Sequence, residues 1–222
     1  MLYDLEAVKA NIRNRDGKRV FYLGKGDQLT SEARDHLNRE RIEILPAQLA
    51  KPERYRLLSG GYAEQKPEHM THLHSDVLVP KTHPRIRFRG AMDTLEAELL
   101  LCGSNVGEIL ELARRLIRCE VMDEPVGAFT LYGLTAEQQR SHSHFPQEHY
   151  GQPHFMPSFG DSPLLLQLNR ARCAARNAEL MATKAFTDED GNVRRGDILT
   201  ALNRMSSMLY ILMLREKAKT KC

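Results

Sequence analysis

Arg172, Arg176 and Glu179 are spaced four and then three residues apart, so on a helix all three project from one face. Two guanidiniums one turn apart make a forked receptor for polyphosphate oxygens, because each offers paired N–H donors and a permanent charge. A solvated, salt-bridged helix face produces the same spacing, and the pattern leaves both readings open. Asn203, Arg204 and Ser207 interrupt an apolar run of Leu199, Leu202, Met205, Leu209 and Leu212; polar groups on such a helix need partners. Upstream, VPKTHPRIRFRGAMD supplies Lys81, His83, Arg85, Arg87 and Arg89 ahead of Asp93. A basic approach to a helix N-terminus suits a phosphate, since unpaired backbone N–H groups add to the side-chain charge. The Walker and Rossmann spacings are missing, as are G-x-S-x-G and H-E-x-x-H, so an ATP site in this chain is of another type and no protein nucleophile declares itself.

Histidine is the other chemical signal. His142, His144, His149 and His154, four of the nine in the chain, fall in SHSHFPQEHYGQPHFMP at residues 141–157. His69, His72 and His74 lie close together; imidazole is an adequate zinc or iron ligand, but such spacings also occur in loops without metal.

These residues must be held by secondary structure. RVFYLG, LTSEARDHLNRERI and IEIL read as strand, helix capped by Thr30 or Ser31, and strand, a β-α-β unit over residues 1–45 too small to stand alone. Residues 46–68 mix Pro, Gly, Lys and Gln without a period and read as a linker or mobile arm. From Gly90, Met92, Leu95, Leu99 and Cys102 recur at helical spacing, and after GSNVG so do Ile109, Leu112, Leu116 and Val121. Thr135 and Gln138 have capping-box spacing for a short helix leading into the His-rich loop, which Pro146, Gly151, Pro153 and Pro157 punctuate. Asp161 or Ser162, with Pro163 in the first turn, starts a helix of roughly six turns, and Asp197 can cap the last one. The expected fold is mostly α: an antiparallel four- or five-helix bundle over residues 69–222 with a small N-terminal α/β appendage.

Composition agrees with this and excludes several classes. Aromatics are 6% of the chain and Trp is absent, which leaves a core of aliphatic side chains. The 32 basic and 29 acidic residues are interspersed, for a net charge of +3, so no nucleic-acid footprint is indicated. Cys102, Cys119, Cys173 and Cys222 are far apart with no C-x-x-C pair, which argues against a disulfide framework or zinc ribbon. The longest apolar stretches, 99–102 and 208–214, are too short to span a bilayer and no leader is evident. The expectation is a soluble, cytoplasmic protein with no membrane partner.

Three segments, KTHPRIRFRGAMDTLEA, LNRARCAARNAE and DILTALNRMSSMLYILML, resemble in order the signature helices of the ATP:corrinoid adenosyltransferases of the propanediol-utilisation type. LTSEARDHL, KPEHMTHL and the S-H-x-P and G-x-x-H-x-x-P patterns of the loop resemble the ethanolamine-utilisation branch. The resemblance implies a five-helix bundle, usually a trimer, with ATP and the corrinoid between neighbouring subunits. It implies a reaction in which Co(I) attacks the 5′ carbon of ATP, giving adenosylcobalamin and triphosphate, and magnesium that travels with the triphosphate. The corrinoid supplies the nucleophile, consistent with the lack of one in the protein.

Carried over by position, Lys81 is similar to the lysine that contacts the nucleotide, with Arg85 in the same basic segment. Asp93 matches the aspartate of the first signature helix. Arg172 and Arg176 resemble the arginines near the triphosphate, Arg172 also as salt-bridge partner of Asp93, and Glu179 completes that motif. Asn203 matches the ATP-side asparagine with Arg204 beside it, while Ser207 replaces an aspartate. A glycine-rich T-K-T-G-D segment is missing, and Thr71 and His72 are expected to take over part of the phosphate contact. Some ethanolamine-branch enzymes carry a His and a Cys-Cys-x-x-Cys cluster and depend on a divalent metal; this chain has no cysteine before Cys102, which leaves a transition metal open. Phe155 is the candidate wedge against the lower corrin face, and His144 and His154 are candidates for binding corrin amides or holding the loop; His142 and His149 read as surface. The resemblance further implies a reductase, and a microcompartment or ammonia-lyase partner. The alternative is a non-catalytic corrinoid-binding or delivery protein with the same bundle; a plain helical interaction domain would not need this residue set.

Overall fold

The computed structural model describes residues 1–15, 17–50 and 54–219, so Cys222 lies outside the described residues. The chain divides into two compact units, Met1–Lys81 and Thr82–Cys222.

The first unit runs β1 (Leu2–Tyr3), α1 (Leu5–Asn11), β2 (Arg13–Arg15), β3 (Lys18–Leu23), β4 (Gln28–Leu29), α2 (Ser31–Arg39), β5 (Glu43–Pro46), β6 (Tyr55–Leu57), β7 (Tyr62–Ala63), β8 (Met70–His74) and β9 (Val77–Pro80). Thr30 caps α2, its hydroxyl accepting from the Ala33 amide at 3.2 Å, and β3 and β5 pair in parallel on either side of this helix. Val8, Phe21, Ala33, Leu37 and Ile42 close a small core beneath it. A second sheet has the order β7-β6-β9-β8. The stretch 46–68, expected as a linker or mobile arm, thus carries two strands of that sheet, with Leu57 opposite Leu78; residues 51–53 of it lie outside the described residues. Strands of two or three residues are too short to show a period, so composition alone pointed to a linker.

The second unit runs α3 (Pro84–Leu101), α4 (Gly107–Met122), β10 (Thr130–Leu131), β11 (Leu134–Thr135), α5 (Ala136–His144), α6 (Pro146–Tyr150), α7 (Pro163–Phe186) and α8 (Gly196–Lys219), and the fold is mostly α. Helix α3 starts six residues before the expected Gly90: Pro84 occupies the first turn and the His83 ring accepts from the Arg85 amide at 3.2 Å. Tyr132 and Gly133, at φ 51° and 76°, supply the left-handed pair that a two-residue hairpin between β10 and β11 requires. The Thr135–Gln138 capping box forms in both directions. Ser162, not Asp161, caps α7 through the Leu165 amide. Asp197 lies within the first turn of α8, where it accepts from the Val126 amide at 3.0 Å and pairs with Arg195 at 3.0 Å.

Helix α7 packs against α3 on one side and α8 on the other, and α8 also meets α5. Phe88, Leu95 and Leu99 from α3, Leu165 and Leu168 from α7, and Ile198, Leu202 and Met205 from α8 fill the core. Along α7 the buried positions continue as Ala171, Ala175, Ala178 and Ala182, each 0% exposed, at the four-and-three spacing of a helix face. Among the described residues no helix is long and apolar enough to cross a membrane.

Candidate functional site

The alanine row fixes which way the rest of α7 points. Arg172, Arg176 and Glu179 fall on the face beside it, Arg172 and Glu179 half-buried and Arg176 exposed. Glu179 accepts from the Asn203 side-chain amide at 2.9 Å, and the Asn203 carbonyl oxygen accepts from the Arg204 guanidinium. This pair of contacts sets the orientation of the amide, nitrogen toward the carboxylate and oxygen toward the cation. Arg204 is only 8% exposed. It reaches the Ala136 carbonyl at 3.4 Å, its Nε has no partner among the described residues, and burial, with the charge of Arg140 nearby, lowers its pKa against the opposing pull of Glu179. A guanidinium so placed is a structural element of the helix pair, and it touches Asn203 directly.

Arg172 donates to Asn169 at 3.4 Å and lies over the ring of Tyr210 at 5.6 Å. The ion pair expected between Arg172 and Asp93 is not among those the described residues form. Asp93 sits on the side of α3 that looks toward α4, where it lines a cavity of about 130 Å³ with Glu96 and Arg114. Arg176 is exposed and has no ion pair among the described residues.

Arg85 is placed elsewhere. Its Nε lies 2.5 Å from one oxygen of Glu120, whose other oxygen is 2.7 Å from Nε of Arg89. Glu120 is fully buried, so both guanidiniums serve an interior carboxylate rather than a ligand. Thr71, His72 and Lys81 belong to the first unit. Thr71 pairs with Val79 in the sheet, His72 has Nδ1 3.1 Å from the Ser75 carbonyl and its ring against Tyr55, and the Lys81 amide donates to the His69 carbonyl at 2.9 Å. Among the described residues no group of three or more His, Cys, Asp or Glu side chains is gathered as a metal ion would need, His69, His72 and His74 included.

The His-rich segment is part helix, α5 and α6, and part extended chain. His149 is exposed, as expected of a surface residue, and His142 is half-buried. Their rings stack at 3.8 Å and 12°, His142 meets the Tyr150 hydroxyl at 2.9 Å and His149 the Ser141 hydroxyl at 3.1 Å. Burial, followed by the charges of His149 and Arg215, lowers the pKa of His142. Beyond Gly151 the chain returns to α8. His154 lies 3.1 Å from the Tyr210 hydroxyl and 3.2 Å from the His144 carbonyl, and the Phe155 amide donates to the same hydroxyl at 3.3 Å. The loop ends on Asp161, whose carboxylate accepts from Lys217 and from the Ser158 amide.

Arg172, Glu179, Asn203, Arg204, His154, Phe155 and the His144 backbone are thus brought into one region, with Arg176 on the same helix face, while Arg85 and Asp93 are not part of it. Tyr210 was not anticipated. It stands seven residues after Asn203, two turns along one face, and that spacing was the available signal. Glu120 and Lys217 were missed as well.

The chain spans 61% of the length of the curated relatives it matches. It is 32% identical over 163 residues to the corrinoid adenosyltransferase EutT of Salmonella typhimurium, covering 70% of this chain. It is 30% identical over 163 residues, with the same coverage, to the corrinoid adenosyltransferase EutT of Escherichia coli K12. The cobalamin adenosyltransferase family matches residues 61–216, a stretch that includes α3, α7, most of α8 and the loop joined to them. The chain belongs to the cobalamin adenosyltransferase family.

Proposed function

We propose that the chain is an ATP:corrinoid adenosyltransferase acting in ethanolamine utilisation. The observation that carries this reading is the α7 face, with Arg172 and Arg176 one turn apart and Glu179 bonded to Asn203 of α8, in a chain of this family. The chemistry follows from the substrates. The Co(I) electron pair forms a bond to the 5′ carbon of ATP, the C5′–O bond breaks, and its electrons leave on the triphosphate, so cobalt ends formally as Co(III). Co(I) itself requires one electron delivered to Co(II) by an external reductant, the part assigned to a reductase. Negative charge accumulates on the leaving oxygen, and cations fixed before the reaction lower its energy without reorganising at that moment. Arg176 and Arg172 take this role. Asn203, held between Glu179 and Arg204, orients the nucleotide; magnesium would travel with the triphosphate and offset part of its charge. Phe155 is the wedge against the lower corrin face, and Lys81, Thr71 and His72 are nucleotide contacts on the resemblance alone.

The same reading takes residues 69–222 as a helical-bundle domain and the protein as a trimer. The Asp93–Arg172 pair, not among those the described residues form, then joins two copies across a shared site. Cytoplasmic location, with a microcompartment or ammonia-lyase component as partner, belongs to the same proposal.

An anaerobic assay with ATP, magnesium and chemically reduced cobalamin tests it, following loss of Co(I) absorbance and release of triphosphate in equal amounts. Triphosphate release no faster than without protein sinks the enzyme reading, and cobalamin binding without turnover would instead identify a corrinoid-delivery protein.

A further inference from the structure

We infer that Tyr210 is a positioning residue that ties the loop carrying Phe155 to the arginine face of α7. For its kinetic consequence this rests on the adenosyltransferase reading. Three groups converge on this one side chain: the Phe155 amide at 3.3 Å, the His154 ring at 3.1 Å, and the guanidinium of Arg172, 5.6 Å from the ring centroid. The rings of His154 and Phe155 both lie nearly parallel to that of Tyr210, at 17° and 23°.

With the His154 ring neutral, the direction of every hydrogen bond follows from the types of the outer groups. A backbone amide only donates, so the Tyr210 oxygen accepts from Phe155. A backbone carbonyl only accepts, so His154 Nε2, 3.2 Å from the His144 carbonyl, carries a proton. In the neutral ring Nδ1 is then bare and accepts the Tyr210 hydroxyl proton. The chain runs from the Phe155 N–H through the Tyr210 O–H to His154 and ends on the His144 carbonyl, with one tautomer and one hydroxyl orientation. The loop position of Phe155 is therefore defined from α8, by a side chain whose ring also receives Arg172 through its π face. The hydroxyl serves the loop and the ring serves the arginine, so the two functions can be separated by substitution.

The experiment compares the full-length protein with Tyr210→Phe and Tyr210→Leu, after circular dichroism has shown all three folded. Tyr210→Phe removes the hydroxyl alone, and with it both of its hydrogen bonds, and is expected to lower kcat for triphosphate release by at least about tenfold, with the KM for ATP unchanged. It also accelerates hydrogen exchange at the Phe155 amide. Tyr210→Leu removes the ring as well and raises the KM for ATP in addition. Wild-type kcat together with wild-type exchange at Phe155 in Tyr210→Phe overturns the inference. If the parent protein itself releases no triphosphate, the adenosyltransferase reading fails separately. Exchange at Phe155 then decides alone: faster in Tyr210→Phe upholds the tether, unchanged refutes it.

Discussion

Arg85 with Arg89, and Arg172 with Arg176, are the same feature on paper: two arginines four residues apart on a long helix. The first pair closes on the fully buried Glu120, with 23% and 19% of the arginine side chains exposed. The second pair has no carboxylate partner among the described residues, one member lying over Tyr210 and the other exposed. What separates them is a single acid on another helix, 35 and 31 positions downstream of Arg85 and Arg89. A guanidinium with an interior partner holds the fold together, and one whose charge the fold leaves unanswered is available to a ligand.

The contrast can be tested from both ends. Glu120→Ala strands two arginines beside an emptied interior site and is expected to cost about 3–5 kcal/mol of stability, the scale for breaking a buried ion pair from one side; thermal or urea unfolding reads it directly. Arg176→Ala is expected to do the opposite. It lowers kcat/KM for triphosphate release about 100-fold, as for loss of a charge-stabilising donor, and leaves unfolding within about 0.5 kcal/mol of the parent. His142→Ala, which removes a side chain stacked away from both pairs, serves as the control and leaves turnover near that of the parent. If Arg176→Ala instead unfolds the protein while Glu120→Ala abolishes turnover in a stable one, the two pairs have been assigned the wrong way round.

A smaller effect comes from acid. The Lys217 ammonium beside Asp161, together with the Ser158 amide, holds that carboxyl below its usual value. The stabilisation is complete above the unfolded value near about 3.9, and it is lost as pH falls through the lower folded value. Thermal unfolding measured down through about pH 4 is expected to show this loss. Asp161→Asn lowers stability at neutral pH and flattens the acid part of the curve, because the titrating carboxylate of the pair is then gone.

Much of the helical unit was legible because its signals are local. Asp161 or Ser162 with Pro163 announced α7, the Thr135–Gln138 box announced α5, and the four-and-three spacing of Arg172, Arg176 and Glu179 placed them on one face. What was not legible depends on contacts between distant segments. The start of α3 was put too late, since Arg85, Arg87 and Arg89 read as a basic approach and not as helix until Glu120 explains two of them. Strands β6 and β7 are too short to carry a pattern, and Asp93 matched its family position without any sign in the sequence that it faces α4. Tyr210 carried a usable spacing from Asn203, but an aromatic residue within an apolar run looks like core.

The alanine row of α7 has a consequence for how this molecule can change. Alanine has no side-chain torsion, so the gaps between α7 and its neighbours are set by methyl groups that cannot be adjusted, and the helices meet without slack. A larger residue at Ala175 or Ala178 would have nowhere to turn and would push whole helices apart, carrying Glu179 away from Asn203. The spacing of the polar residues is therefore a fixed dimension of the chain. Room to vary lies in the loop over residues 151–162 at Met156, which is 87% exposed, whereas His154 and Phe155 are bonded to Tyr210 of α8.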